Sequence, residues 1–192
     1  MNVTMHTLLI GIPSLFALTP AIALESVLVT PGVGMGVAKL GMTQKKLKQV
    51  AGNFDVSYVL PSGVKVDRAD WKDKGLTTVM LKVFYDKDGK AIQIATAAST
   101  AVTANGISKK SRFADIGYQR DKLKLTEYRA KNGRVDYYDD IPKGITYEYR
   151  RLDEDLARKM YAIIVHKPGV PVLSDADEKP LKPVKPEVQA TK

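Results

Sequence analysis

The sequence predicts an α+β fold: two tandem repeats, each a short helix followed by an antiparallel sheet, with the helices on one sheet face. Three observations carry this. A glycine-rich loop runs into a capped amphipathic helix at Pro31–Gly52 (PGVGMGVAKLGMTQKKLKQVAG). Strict alternation of Val79, Leu81, Val83 and Tyr85 marks a half-buried strand. The order of glycine loop, hydroxyl cap and short helix then recurs at Thr103–Ser111 and beyond.

The elements follow in chain order. Leu8–Ala23 is an apolar run broken by Pro13 and Pro20 and ending in Ala21-Ile22-Ala23, a small-x-small cleavage pattern. It reads as a secretory signal over residues 1–23, with Leu24 as the new start; a membrane anchor is the rival, disfavoured by the short run and its prolines. Ser26–Thr30 is a short strand. Thr43 is the N-cap of a helix over Gln44–Ala51, because its hydroxyl can accept an orphan N–H of the first turn. Leu47 and Val50 share its inner face, Lys45, Lys46 and Lys48 point outward, and Gly52 ends it.

Strands follow at Val56–Leu60 and Val64–Val66, joined by a Pro61-Ser62-Gly63 turn. The polar stretch Asp67–Gly75 reads as a loop. Thr77–Tyr85 and Ala91–Thr96 form a hairpin on Asp86-Lys87-Asp88-Gly89, with Ile92 and Ile94 inward. In the second unit Ser111 caps a helix over roughly Arg112–Tyr118, and strands are expected at Leu123–Tyr128, Val135–Tyr138, Ile145–Leu152 and Met160–His166. Residues 24–102 and 103–168 are thus the two repeats. The remainder, 169–192, is rich in proline and lysine with few large apolar residues, the composition of a disordered tail.

The 192-residue chain carries a formal charge of +9, which favours an anionic partner. Export argues against nucleic acid and for an envelope or secreted protein or an anionic envelope polymer, with at most peripheral membrane contact. Cysteine is absent, so the chain has no disulfide and no cysteine to carry a lipid.

Gly34-Met35-Gly36-Val37, Leu40-Gly41-Met42-Thr43 and the closing Gly52 make this region resemble a motif of small bacterial envelope proteins. These are the outer-membrane-assembly lipoproteins and the β-lactamase-inhibitor proteins. The second half, with Thr103-x-x-Gly106-Ile107 and Lys143-Gly144-Ile145-x-Tyr147, is similar to a domain form of secreted bacterial proteins. The resemblance implies helices on one face of a curved sheet, the other face free, and binding in place of catalysis. The chain departs from it in lacking the lipidated cysteine and the disulfides.

Gly32, Gly34 and Gly36 suggest a phosphate cradle, but no P-loop lysine follows and no strand–helix–strand unit frames them. Asp136, Asp139 and Asp140 do not match the EF-hand ligand spacing. His166, with an acid and a hydroxyl such as Ser57 or Ser62, leaves a small secreted hydrolase as an alternative, though no nucleophile elbow supports it. No metal or cofactor is expected. If Val79, Leu81, Val83 and Tyr85 face the helices, then Met80, Lys82 and Phe84, with Thr146, Glu148 and Arg150, form an open binding face. Lys45, Lys46, Lys48, Lys109, Lys110 and Arg112, on corresponding helices, form an anionic-surface patch. The function these support is a non-enzymatic exported envelope protein that binds a macromolecule through the sheet face, with an inhibitor of a secreted enzyme as a further alternative.

Overall fold

The structure, a computed structural model, describes residues 26–73, 76–120, 125–130, 134–151 and 158–174. Within these the protein is mostly β, with twelve strands and two helices of eight residues each. The strands are β1 (Val27–Thr30), β2 (Gly34–Met35), β3 (Ala38–Lys39), β4 (Val56–Val59), β5 (Lys65–Asp73), β6 (Leu76–Tyr85), β7 (Ala91–Thr96), β8 (Ala101–Thr103), β9 (Thr126–Arg129), β10 (Val135–Asp140), β11 (Ile145–Arg151) and β12 (Arg158–His166). Helix α1 spans Gln44–Ala51 and α2 spans Phe113–Arg120.

This overturns the expected α+β tandem repeat. The strands of both halves join in a single eight-stranded antiparallel sheet, ordered β4-β5-β6-β7-β12-β11-β10-β9. The join is made by the last strand: β12 pairs with β7 of the first half and with β11 of the second. The glycine loop folds into a second, four-stranded sheet, β3-β2-β1-β8, in which β1 and β8 run parallel and so tie the start of the chain to the middle. Two short helices with strand pairing on this scale do not make two helix-plus-sheet units. Pairing across the β7–β12 seam leaves neither half with an open strand edge there.

The stretch expected as a loop is part of β5. Its side chains are polar, but its backbone pairs with β6 along nearly its whole length. Asp67 is fully buried there and collects three donors: Gln44 Nε2 (2.6 Å), Ser57 Oγ (2.6 Å) and the Tyr85 hydroxyl (3.0 Å). A buried carboxylate is tolerated when its oxygens are saturated in this way, and the arrangement pins α1 to β4, β5 and β6. Burial, and then the Asp67 charge, push the Tyr85 hydroxyl well above the usual tyrosine range.

Helix α1 matches its expected caps. Thr43 Oγ1 accepts from Lys46 N (3.3 Å), Gly52 N–H returns to the Lys48 carbonyl, and Leu47 is the buried anchor. The main core lies between one face of the large sheet and a layer made of α1, α2 and the small sheet. Val83, Tyr85, Ile94, Tyr147, Tyr149 and Ile163 meet Val29, Met35, Leu47 and Ile116 there. Burial, and next Asp140, raise the Tyr147 hydroxyl to about 12. Ile92 does not join this core. A bulge at Phe84/Tyr85 leaves it unpaired, and it packs beside Val66 and Phe84 on the other face.

That other face is not open. Phe84, Thr146 and Glu148 are buried, Lys82 is 8% exposed, and Met80 and Arg150 are only partly exposed. Two further apolar clusters form on it, one around Tyr128, Tyr137 and Ile164, the other around Leu60, Val66 and Phe84. A long sheet twists and curls on itself, so side chains of neighbouring strands screen one another. The first residues of the expected tail also cover it: Val172 and Ser174 are buried and Leu173 packs against the Val66–Phe84 cluster. Residues 1–23 and 175–192, the predicted signal and most of the predicted tail, lie outside the described residues.

Candidate anion-binding groove

The groove is built from two walls. The first is the turn that leads into α2. Ser111 Oγ accepts from Ser108 N (3.0 Å) and Ser111 N donates to the Ser108 carbonyl (2.9 Å), so the chain reverses tightly at Ser108–Ser111. Arg112 N donates to Asp115 Oδ2 (2.7 Å), which satisfies an orphan donor of the first helical turn. Phe113 then anchors the turn, its ring edge-on to Tyr138 at 5.0 Å and to Tyr149 at 5.3 Å. Such edge-to-face contacts add to simple area burial. The result is that Lys109, Lys110 and Arg112 are held in one short stretch on a fixed base.

The second wall comes from β11 and β12. Glu148 pairs with Ala162 and Tyr149 with Met160, so Tyr161 is an extra residue at a bulge. Arg150 lies with its guanidinium over the Tyr161 ring at 3.4 Å, and Lys109 Nζ approaches the same ring at 5.6 Å. Cations over an aromatic face are attracted by its quadrupole. Tyr161 therefore gathers charges from both walls. Lys159, exposed beside it, completes the lining, and the groove encloses about 550 Å³.

Charge in the groove is one-sided but partly compensated. Arg150 Nε donates to Glu148 (2.7 Å) and Arg112 lies 3.6 Å from Asp115. Burial works against the Arg150 charge, and the Glu148 carboxylate more than offsets it, which leaves the guanidinium above its ordinary range. Lys109 Nζ donates to the Ala97 carbonyl (3.1 Å). Among the described residues, no carboxylate is paired with Lys110 or Lys159. The β11–β12 connection carries Asp153, Glu154 and Asp155 in its sequence, outside the described residues.

The sequence-predicted sites are thus redistributed. Lys109, Lys110 and Arg112 meet Arg150, which was expected on the sheet face. Lys45, Lys46 and Lys48 lie exposed on α1, where Lys45 and Lys48 border a separate shallow depression with Gln44 and Gln49. The remaining sheet-face residues are enclosed as described. Lys159 and Tyr161 were missed. Their signal depends on the bulge, which shifts the alternation after Glu148 and has no mark in the sequence.

The other candidate chemistry resolves differently. Alternation along β10 sends Asp139 to the face opposite Asp136 and Asp140, so the three aspartates do not converge. Asp136 pairs with Arg129 (2.8 Å), Asp140 with Lys143 (3.2 Å), and among the described residues no group of His, Cys, Asp or Glu is placed to hold a metal. His166 does lie beside an acid and a hydroxyl. Its Nε2 is 2.8 Å from Asp139 Oδ1 and 3.1 Å from Thr146 Oγ1, and Thr146 Oγ1 donates to Asp139 Oδ1 (2.9 Å). Nδ1 lies 3.1 Å from the Lys167 carbonyl oxygen. All three side chains are buried, and their polar atoms are engaged with one another and with the chain that follows. The glycine loop serves packing: a Cβ at Gly34 would overlap the Ala38 carbonyl oxygen.

No family model matches the chain, and no curated protein matches it. Among solved structures, the chain is similar to the crystal structure of the uncharacterized protein yfeY from Escherichia coli, at 15% identity over 74% of this chain and 100% of that one, with a TM-score of 0.48.

Proposed function

We propose that this protein is an exported, non-enzymatic binding protein of the cell envelope that engages an anionic polymer through the groove between the α2 turn and the Tyr161 bulge. The observation that carries the reading is that five cationic side chains, from two parts of the chain far apart in sequence, line one groove, two of them over the Tyr161 ring. Aromatic and cationic groups set together suit a ligand that offers negative charge alongside apolar or ring surface. The net charge of +9 adds attraction at longer range.

Fluorescence anisotropy with a labelled sulfated polysaccharide tests it. Lys110→Glu with Lys159→Glu is expected to weaken binding at least tenfold, and wild-type binding is expected to fall as salt rises. Both residues are exposed, so the fold should be unaffected. Equal affinity of the double variant and wild type sinks the groove as the site. Lys45→Glu with Lys48→Glu serves as a control for net charge, because these residues sit outside the groove.

Export rests on the pattern Leu8–Ala23 and its small-x-small end. Expression in a Gram-negative host is expected to yield a mature protein beginning at Leu24, read by intact-mass measurement of the periplasmic fraction. A cytoplasmic product retaining Met1 contradicts it.

A further inference from the structure

We propose that the sheet face opposite the helices is a binding site for an extended peptide, and that Val172–Ser174 occupies it as a resident ligand in cis. The contacts that hold this segment are directed at its backbone. Gln93 Nε2 donates to the Leu173 carbonyl (2.8 Å) and Gln93 Oε1 accepts from Leu173 N (2.8 Å). A primary amide is a fork whose donor and acceptor match the N–H and C=O of one residue, whatever its side chain. Asp139 Oδ2 accepts from Val172 N (3.0 Å), and the Tyr137 hydroxyl meets Ser174 Oγ (3.2 Å).

A strand-like segment usually satisfies its backbone by pairing with another strand. Here buried side chains of β7 and β10 do so. Gln93 is 1% exposed and Asp139 fully buried, so both are preset on rigid strands. Apolar subsites flank them: Val172 fits the cluster of Ala95, Tyr137 and Ile164, and Leu173 the cluster of Val66 and Phe84. The site therefore reads a short extended peptide with a small branched residue, an apolar residue with a free N–H, and then a hydroxyl.

The anchored part is short and leaves the fold by a turn. Residues 167–171 are exposed, Gly169 has φ +79°, and Val170 N returns to the Lys167 carbonyl. Release of residues 172–174 breaks no strand pairing. A tethered ligand of this kind competes at an effective concentration on the order of millimolar, so the wild-type chain masks its own site. The partner is a peptide segment of another chain with the same chemistry.

Leu173→Pro in the full chain tests this, because it removes the N–H that Gln93 accepts and leaves the sheet side intact. A labelled peptide spanning residues 168–176 is expected to bind this variant at least tenfold more tightly than wild type. The peptide bearing the same proline should not bind, and adding Gln93→Leu should abolish binding. A cooperatively folded Leu173→Pro chain that does not bind the peptide overturns the proposal. If that variant does not fold, amide exchange of the wild-type chain decides. The Val172 and Leu173 amides are expected to exchange at least tenfold faster than that of Val165; exchange at the Val165 rate overturns it.

Discussion

Asp139→Ala is expected to lower stability by about 3–5 kcal/mol, because several buried donors lose their acceptor at once. Urea or thermal denaturation would read it. The carboxylate accepts from His166 Nε2, the Thr146 hydroxyl and Val172 N, and all of these are buried. Without it, an imidazole nitrogen, a hydroxyl and an amide lose their acceptor together, and a buried polar group left unpaired costs about 1–3 kcal/mol. Thr146→Val removes only one member and should cost about 1 kcal/mol. A loss below 1 kcal/mol for Asp139→Ala would mean that the network is dispensable. The acid and hydroxyl beside His166 thus link β10, β11, β12 and the 172–174 segment.

Gly144→Ala is expected to cost about as much, for a different reason. Gly144 has φ +69°, and a Cβ there would overlap the His166 carbonyl oxygen and come within 3.2 Å of Gly32 Cα. Its carbonyl accepts from both Gly32 N and His166 N. The turn before β11 thus fastens the N-terminal glycine loop to the end of β12, and any side chain pries these apart. We expect a loss of about 3–5 kcal/mol, combining left-handed strain of about 1–2 kcal/mol with the clash. Gly89→Ala is the matched comparison: φ is +71°, but nothing lies within 4 Å of the added carbon, so only the strain remains. Equal melting temperatures for the two variants would contradict the packing argument.

These two sites show where sequence reasoning stops. Thr43 and Gly52 as caps, Leu47 as anchor, and the Asp86–Gly89 turn were all legible, because each depends on residues within a few positions of one another. The alternation of Ile145, Tyr147 and Tyr149 correctly separates the two faces of β11, but not what covers them. Lys82, Phe84, Thr146 and Glu148 looked like a solvent face because their neighbours in sequence are inward. They are enclosed because apolar clusters form on that face and Val172–Ser174, from the chain end, packs against it. Asp67–Asp73 looked like a loop because its side chains are polar, whereas its backbone found a partner in β6.

The sequence by itself determined the local elements: helix caps, tight turns, the phase of the strands and the excess of positive charge. Propensity, periodicity and turn chemistry act over short spans and leave their mark in residue type. Tertiary structure alone decided that both halves share one sheet, that a bulge turns Tyr161 toward Arg150 and Lys109, and that Val172–Ser174 lies on Gln93 and Asp139. Each of these rests on pairing between residues far apart in the chain. Such pairing is selected by which combination of faces, edges and buried polar groups can be satisfied together, and no single stretch of sequence contains that balance.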